Sequence, residues 1–324
     1  MEITLQRAAE LLLSGDDFAI LIHRHPDGDA VFSALALYRI LEEKGKRARI
    51  CCADEVPSYL APLCPLPLCT DGVFGENETL VSVDVAEPAL LGALSEPALA
   101  KGVLLKIDHH RTGKDFSACS LVDAEASAAG EIVYRLAKHL SVTDPDTLLA
   151  CYGAIASDTG CFRYANSTAG AFAAAAEMRA MGISFEEYNA VLFESKDYMT
   201  LSATAYGVAN TAFYFGGRAA LFAITREEMK EKGFTDEHLS EIGGTLREIC
   251  GVDMAMVLRE IPSGGRFRLS TRSTKGGDCI ALCEPFGGGG HLRAAGATID
   301  CPTKEEAVQA VLLELAKQFE KEKT

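Results

Sequence analysis

Hydrophobic positions along the chain switch repeatedly between two spacings. In TLQRAAELLLSG (4–15), Leu5, Ala8, Ala9, Leu12 and Leu13 recur at helical spacing with Gly15 after them, whereas FAILIH (18–23) is the short continuous apolar run of a strand buried on both faces. DAVFSALALYRILEEKG (29–45) predicts a second helix, with Asp29 near its start, Lys44 in its last turn and Gly45 after it. RARICCA (47–53), TLVSVD (79–84) and VLLKID (103–108) predict further strands among helical or irregular segments. This alternation gives an α/β fold with an N-terminal doubly wound, mainly parallel sheet.

Three of the apolar runs stop at acids or histidines: FAILIHRHPDGD, TLVSVDVAEP and VLLKIDHH. Ligands of open α/β sheets bind at the carboxyl ends of strands, so these groups should converge. HRHPDGDA (23–30) has a plainer reading as a turn and helix cap, Pro26 fixing φ, Gly28 taking positive φ and an Asp capping. That leaves His23 unexplained, while His25 reads as an exposed turn histidine. DPDTLLACYGAIASDTGCFRY (144–164) predicts a helix from about Thr147 that delivers Asp158, which alone could be a mere cap before Gly160. Together His23, Asp27, Asp29, Asp84, His109 and Asp158 bring four carboxylates near one another, and their repulsion calls for cations. Oxygen-rich ligation with histidine and no thiolate favours manganese, magnesium or iron over structural zinc, without choosing among the three.

Composition narrows the class. At 324 residues the chain has room for two domains. Eleven cysteines, an odd number with no C-x-x-C pair, suit reduced thiols better than a disulfide framework. The acidic N-terminus lacks the basic region of a signal peptide, and no apolar run approaches the ~18 residues of a membrane span, so a cytoplasmic location is expected. A net charge of −15 means that any nucleic acid is held by a few local cations; long duplex DNA is a poor candidate.

SFEEYNAVLFESKDYMTLSATAYGVANTAF (184–213) has helical spacing and no Pro or Gly until Gly207. It reads as a connecting helix over 191–210 between a domain at 1–190 and a smaller mixed α/β domain at 211–324, with a site in the cleft between them. In the second domain, YFGGRAALFAIT and MAMVLREIPSGGRFRLSTRS predict strands, and helices are expected at about 226–249 and 303–320. GGGGHLRAAG lacks the Lys-Ser/Thr of a P-loop and follows no obvious strand. Residues such as Gly288, Gly289 and Gly290, without Cβ atoms, let backbone N–H groups approach a phosphate, and His291 and Arg293 can add charge; a flexible tract is the plain alternative. Arg272, in STRS, can pair two phosphate oxygens or be an ordinary strand arginine. Arg111 and Arg163, beside the acidic motifs, are candidates of the same kind. No aromatic is singled out by spacing as a base-stacking platform.

HRHPDGDA, VDVAEP, IDHH and SDTGCFRYANST, in that order, resemble the four motifs of the DHH phosphoesterase superfamily, named for the triplet that is Asp108-His109-His110 here. STRS followed by FGGGGHLRAAG resembles the superfamily's associated substrate-binding domain, so the likeness spans nearly the whole chain. It is most similar to the compact NrnA-type form. RecJ-type exonucleases carry extra domains, and pyrophosphatases of the superfamily have a basic C-terminal motif missing here. The resemblance implies one metal held by His23, Asp27 and Asp84 and a second by Asp29, Asp84, His109 and Asp158, with Asp84 bridging. It also implies that Asp108 orients a neighbouring histidine and that His110 donates to a phosphate oxygen. One position departs from the family: Phe32-Ser33 stands where Gly-Ser is usual, which should tighten helix packing without removing a ligand.

The implied activity is a manganese-dependent phosphodiesterase, two ions per site with magnesium or cobalt as substitutes. It would cut short oligoribonucleotides to mononucleotides and dephosphorylate 3′-phosphoadenosine 5′-phosphate to AMP. A homodimer is compatible with it. A linear or cyclic dinucleotide phosphodiesterase is the rival enzyme. A silent nucleotide-binding module would be expected to have lost a metal ligand, and none of the six is replaced.

Overall fold

The computed structural model describes residues 1–262, 264–274 and 276–321, with the side chains of all of these but 291, 320 and 321. The chain divides into two compact units, Met1–Ser195 and Lys196–Thr324.

The first unit begins with α1 (Leu5–Ser14), capped by the Thr4 hydroxyl, which accepts from Arg7 N–H. There follow β1 (Asp17–Leu21), α2 (Gly28–Glu43), β2 (Arg47–Cys51), β3 (Thr79–Val83), α3 (Ser95–Lys101), β4 (Val103–Asp108) and β5 (Ser117–Val122). Then come α4 (Ala129–His139), α5 (Pro145–Asp158), α6 (Ala169–Ala180) and the short α7 (Glu186–Asn189). The strands lie in the order β2-β1-β3-β4-β5, all pairs parallel. Alternate strand residues explain why the apolar runs are continuous. Phe18, Ile20, Val81 and Ile107 pack in the main core with residues of α2, α4 and α5, while Ala19, Leu21, Leu80 and Val103 pack with Leu94 and Ala98 on the other face. Phe32 is wholly buried, its ring 5.3 Å from that of Tyr188. Gly153 makes room for the pair, since a Cβ there would stand 2.7 Å from Tyr188 and 3.0 Å from Phe32.

The second unit holds α8 (Tyr198–Ala209), β6 (Ala212–Tyr214), β7 (Ala219–Ile224), α9 (Arg226–Lys232), α10 (Ile242–Arg247), β8 (Met254–Glu260) and β9 (Arg266–Ser273). It closes with α11 (Cys279–Cys283), β10 (Gly289–His291), β11 (Ala294–Asp300) and α12 (Lys304–Lys321). Its mixed sheet runs β10-β11-β9-β8-β7-β6, with β7 and β8 parallel and the other pairs antiparallel.

Two segments differ from the sequence reading. The helix expected at about 226–249 is two, α9 and α10, because Gly233 closes the first in the left-handed conformation. Within 191–210 the backbone leaves a π-helical turn (Ala190–Glu194) at extended Ser195 and restarts at α8, where the Asp197 carboxylate accepts from Thr200 N–H as a new N-cap. Among the described residues no helix is long and apolar enough to cross a membrane.

Candidate metal centre

Parallel pairing in register, Leu21 beside Ser82 and Val83 beside Ile107, brings the carboxyl ends of β1, β3 and β4 side by side. His23 follows β1, Asp84 follows β3 and His109 follows β4. Asp84 turns its side chain into the group by taking φ +58°, a left-handed conformation that Asp tolerates better than most residues. Asp27 is the N-cap of α2, accepting from Ala30 N–H at 3.1 Å, and Asp29 lies in that helix's first turn. Asp158 is the last residue of α5.

These six side chains meet, and the distances fit shared cations better than hydrogen bonds. His23 Nε2 lies 3.7 Å from Asp27 Oδ1 and 3.5 Å from Asp84 Oδ2. His109 Nε2 lies 3.5 Å from Asp29 Oδ2, 3.6 Å from Asp84 Oδ1 and 3.9 Å from Asp158 Oδ2. Two ligands each about 2.1 Å from one ion stand roughly 3–3.5 Å apart. Two triads, His23–Asp27–Asp84 and Asp29–His109–Asp158, have the closeness metal binding needs, and so does Asp84–His109–His110. Asp84 Oδ1 is buried and accepts no hydrogen bond, a costly state for a carboxylate oxygen unless a cation faces it.

The surroundings fix the histidines for that use. His23 Nδ1 faces the Arg24 carbonyl at 2.9 Å and His109 Nδ1 the Ala126 carbonyl at 3.4 Å, so each Nδ1 carries a hydrogen and Nε2 is left as the ring atom that faces the acids and would meet a cation. Asp29, 2% exposed, accepts from Ser33 Oγ at 2.7 Å and from the Ala129 and Gly130 amides at 2.7 and 3.0 Å. It thus caps α4, which has no side-chain cap of its own. Asn166 Nδ2 donates to Asp158 Oδ2 at 3.0 Å.

Protonation follows from this crowding. Burial, with the charges of Asp84, Asp158 and Asp27, pushes Asp29 well above the usual carboxylate range. Burial raises Asp158 to about 6, with Asp27 and Asp84 adding to it and His109 opposing. Burial works against a charged His23, yet its contacts with Asp27 and Asp84 raise it to about 11. Among these side chains alone, protons do the neutralising that divalent cations would do.

Asp108 and His110 sit beside the cluster. Asp108 is fully buried, and its Oδ1 lies 2.7 Å from His110 Nδ1 and accepts from the His109 amide at 2.9 Å. Against the cost of burial, His110 and Lys106 hold its carboxyl below the usual range. Lys106 is buried with Nζ 3.0 Å from Asp108 Oδ2 and 3.0 Å from the Ala86 carbonyl; the sequence reading gives no role to it, to Asn166 or to Ser33. Spacing could have pointed to Ser33, four residues after Asp29, and to Asn166, inside SDTGCFRYANST. His25 stands apart, exposed and 2.9 Å from Asp54. Arg111 pairs with Glu125 at the surface, and Arg163 Nε donates to the Gly160 carbonyl.

In the second unit the glycine tract is more constrained than an open phosphate nest. Gly289–His291 is the edge strand β10. A Cβ on Gly288 would stand 2.3 Å from the Gly296 carbonyl, and one on Gly290 2.6 Å from that of Ala294, so both glycines serve close packing on β11. A Cβ on Gly289 would meet nothing within 4 Å. Arg293 Nη1 donates to the Gly277 carbonyl at 2.7 Å and also to that of Thr274, which holds the loop after β9. Arg272 Nη1 donates to the Thr271 carbonyl at 2.9 Å. His291 holds the register position opposite Ala294, which pairs in turn with Arg272; its side chain lies outside the described residues.

Family models match both units: the DHH family, N-terminal domain, over residues 17–156 and the DHHA1 domain over residues 216–321. The bifunctional oligoribonuclease and PAP phosphatase NrnA of Thermus thermophilus is 31% identical over 297 residues, covering 90% of this chain and 87% of its own. The protein of the same name in Bacillus subtilis is 28% identical, covering 93% and 96%. The crystal structure of an exopolyphosphatase-related protein from Bacteroides fragilis superposes with a TM-score of 0.89 at 25% identity, over 97% of this chain and 95% of that one. With both domains matched in order and a relative above 30% identity along most of its length, the chain belongs to the DHH phosphoesterase family, in the form that carries a DHHA1 domain.

Proposed function

We propose that this chain is a cytoplasmic phosphodiesterase that cuts short oligoribonucleotides to mononucleotides and removes the 3′-phosphate of 3′-phosphoadenosine 5′-phosphate. The observation that carries the reading is Asp84, its carboxylate set between His23 and His109 with one oxygen buried and accepting no hydrogen bond. His23, Asp27 and Asp84 would hold one cation and Asp29, Asp84, His109 and Asp158 a second, manganese being the reading for both and magnesium or cobalt substitutes. When bound, the pair supplies an activated water and Lewis-acid stabilisation of charge on the phosphate.

The protein's own groups do the rest. The Arg24 and Ala126 carbonyls hold the two histidine tautomers, the first amides of α4 hold Asp29, and Asn166 holds Asp158. Asp108 keeps a proton on His110 Nδ1 and orients the ring, whose Nε2 donates to a non-bridging phosphate oxygen. Arg272 of the second domain takes a substrate phosphate, together with the Gly288–Gly290 backbone and His291, and Arg293 anchors the neighbouring loop. The boundaries that go with this reading are 1–190 for the metal-binding domain and 211–324 for the substrate domain. A net charge of −15 suits small anionic substrates gripped at few points.

The test is a turnover panel on one preparation with manganese, magnesium or cobalt. Mononucleotides from di- and trinucleotides and AMP from the bisphosphate are expected, with cyclic di-AMP and its linear product turned over more slowly. No hydrolysis at full metal content would contradict the proposal, and a preference for cyclic di-AMP would replace it with the dinucleotide reading.

A further inference from the structure

One arginine on the second sheet has no partner among the described residues. Along β9, Phe267, Leu269, Thr271 and Ser273 turn to the buried side and Arg266, Arg268, Ser270 and Arg272 to the other. Pairing in register sets Arg259 of β8 directly across from Arg268, two like charges where a sheet favours opposite ones. Arg259 is drawn to Asp236, which also pairs with Arg226, and Arg266 pairs with Asp300. Among the described residues exposed Arg268 has neither an ion pair nor a hydrogen bond. In a chain with 46 acids against 31 bases, an unneutralised arginine beside a second one is a local excess of positive charge.

The guanidinium lies on a floor almost free of side chains. It crosses β11 over Gly296, where an added Cβ would stand 3.1 Å from Arg268 Nη2. Gly296 pairs with Ser270 on one side and Gly289 on the other, so one row across three strands reads Ser270, Gly296, Gly289 and offers a single hydroxyl. The neighbouring row on that face reads Arg272, Ala294, His291. Two residues along a strand separate the rows by about 7 Å, comparable with one nucleotide of an extended chain.

We propose that Arg268, over the Ser270–Gly296–Gly289 row, is a second phosphate subsite, one nucleotide beyond the phosphate assigned to Arg272, and that it favours single-stranded RNA longer than a dinucleotide. The glycines let the backbone of the ligand approach, the arginine fork pairs two phosphate oxygens and Ser270 adds a donor. The inference rests on the placement of Arg272 proposed above.

Calorimetric titration of the full chain with phosphorothioate-linked RNAs, which resist cleavage, tests it with manganese present. Arg268→Ala should weaken binding of a pentanucleotide about tenfold, the loss of one exposed charge-assisted contact. A dinucleotide should bind within about twofold of wild type. The slope of log K against log salt for the pentanucleotide should shrink by about 0.7, one phosphate contact on a single strand. Arg268→Lys should keep that slope while losing affinity, since it keeps the charge and loses the fork. Equal weakening for both lengths, an unchanged pentanucleotide affinity, an unchanged salt slope or a wild type that does not bind the pentanucleotide would each overturn the subsite. Turnover of an ordinary dinucleotide by the same wild-type preparation reports separately on the functional reading.

Discussion

Asp84→Asn isolates the metal contribution because the rest of the structure hardly depends on that carboxylate. Its shortest polar contacts are 3.5 Å, its Oδ1 accepts nothing, and Asn is as tolerant as Asp of φ +58°. The substitution gives up attraction to His23 but relieves Asp29 and Asp158, both of which the Asp84 charge pushes upward. The melting midpoint of the chelated protein should therefore move by less than about 3 °C, or about 1 kcal/mol. Manganese should act quite differently on the two proteins. An ion at a hundred times its dissociation constant stabilises by about 2.7 kcal/mol. For a unit of 195 residues that is a rise of about 5–10 °C. Differential scanning calorimetry with and without manganese should show this rise for wild type and almost none for Asp84→Asn. An equal rise in both proteins, or none in wild type, would refute the bridging role.

Two further outcomes follow from the surroundings of the cluster. Asn166→Ala removes the donor to Asp158, so a manganese titration of activity should show about 10–100-fold weaker activation; an unchanged titration would mean that Asp158 needs no such support. Asp158 is raised from its ordinary 3.8 to about 6, so its contribution to the stability of the metal-free fold is full below about pH 4 and lost as pH rises through about 6. In excess chelator, Asp158→Asn should lack that decline, and parallel stability curves for variant and wild type would contradict the assignment.

The candidate metal cluster was legible because it is built from strand ends and helix starts, where an apolar run stops abruptly on an acid or histidine. His23, Asp84 and His109 end such runs, and parallel pairing alone brings them together. Its supports were not, because they act across long separations. Asp29 caps α4 from 100 residues away, at a helix start, Ala128-Ala129-Gly130, that carries no capping side chain. Lys106 looks like one polar residue in an apolar run until Asp108 and the Ala86 carbonyl are seen around it. The glycine tract shows the same limit. Its composition suggested access for a ligand, but Gly288 and Gly290 are glycine because β11 packs against them, and only the pairing reveals that Gly289 differs. Phe32 likewise makes sense only with Gly153, 121 positions later, yielding the space it fills.

Anomalous diffraction from crystals grown with manganese tests the central claim most directly, since it locates the ions without relying on activity. Two anomalous peaks that share the Asp84 carboxylate are expected, one also contacted by His23 and Asp27 and the other by Asp29, His109 and Asp158. A single peak, peaks that do not touch Asp84, or none at this cluster at saturating manganese would contradict it.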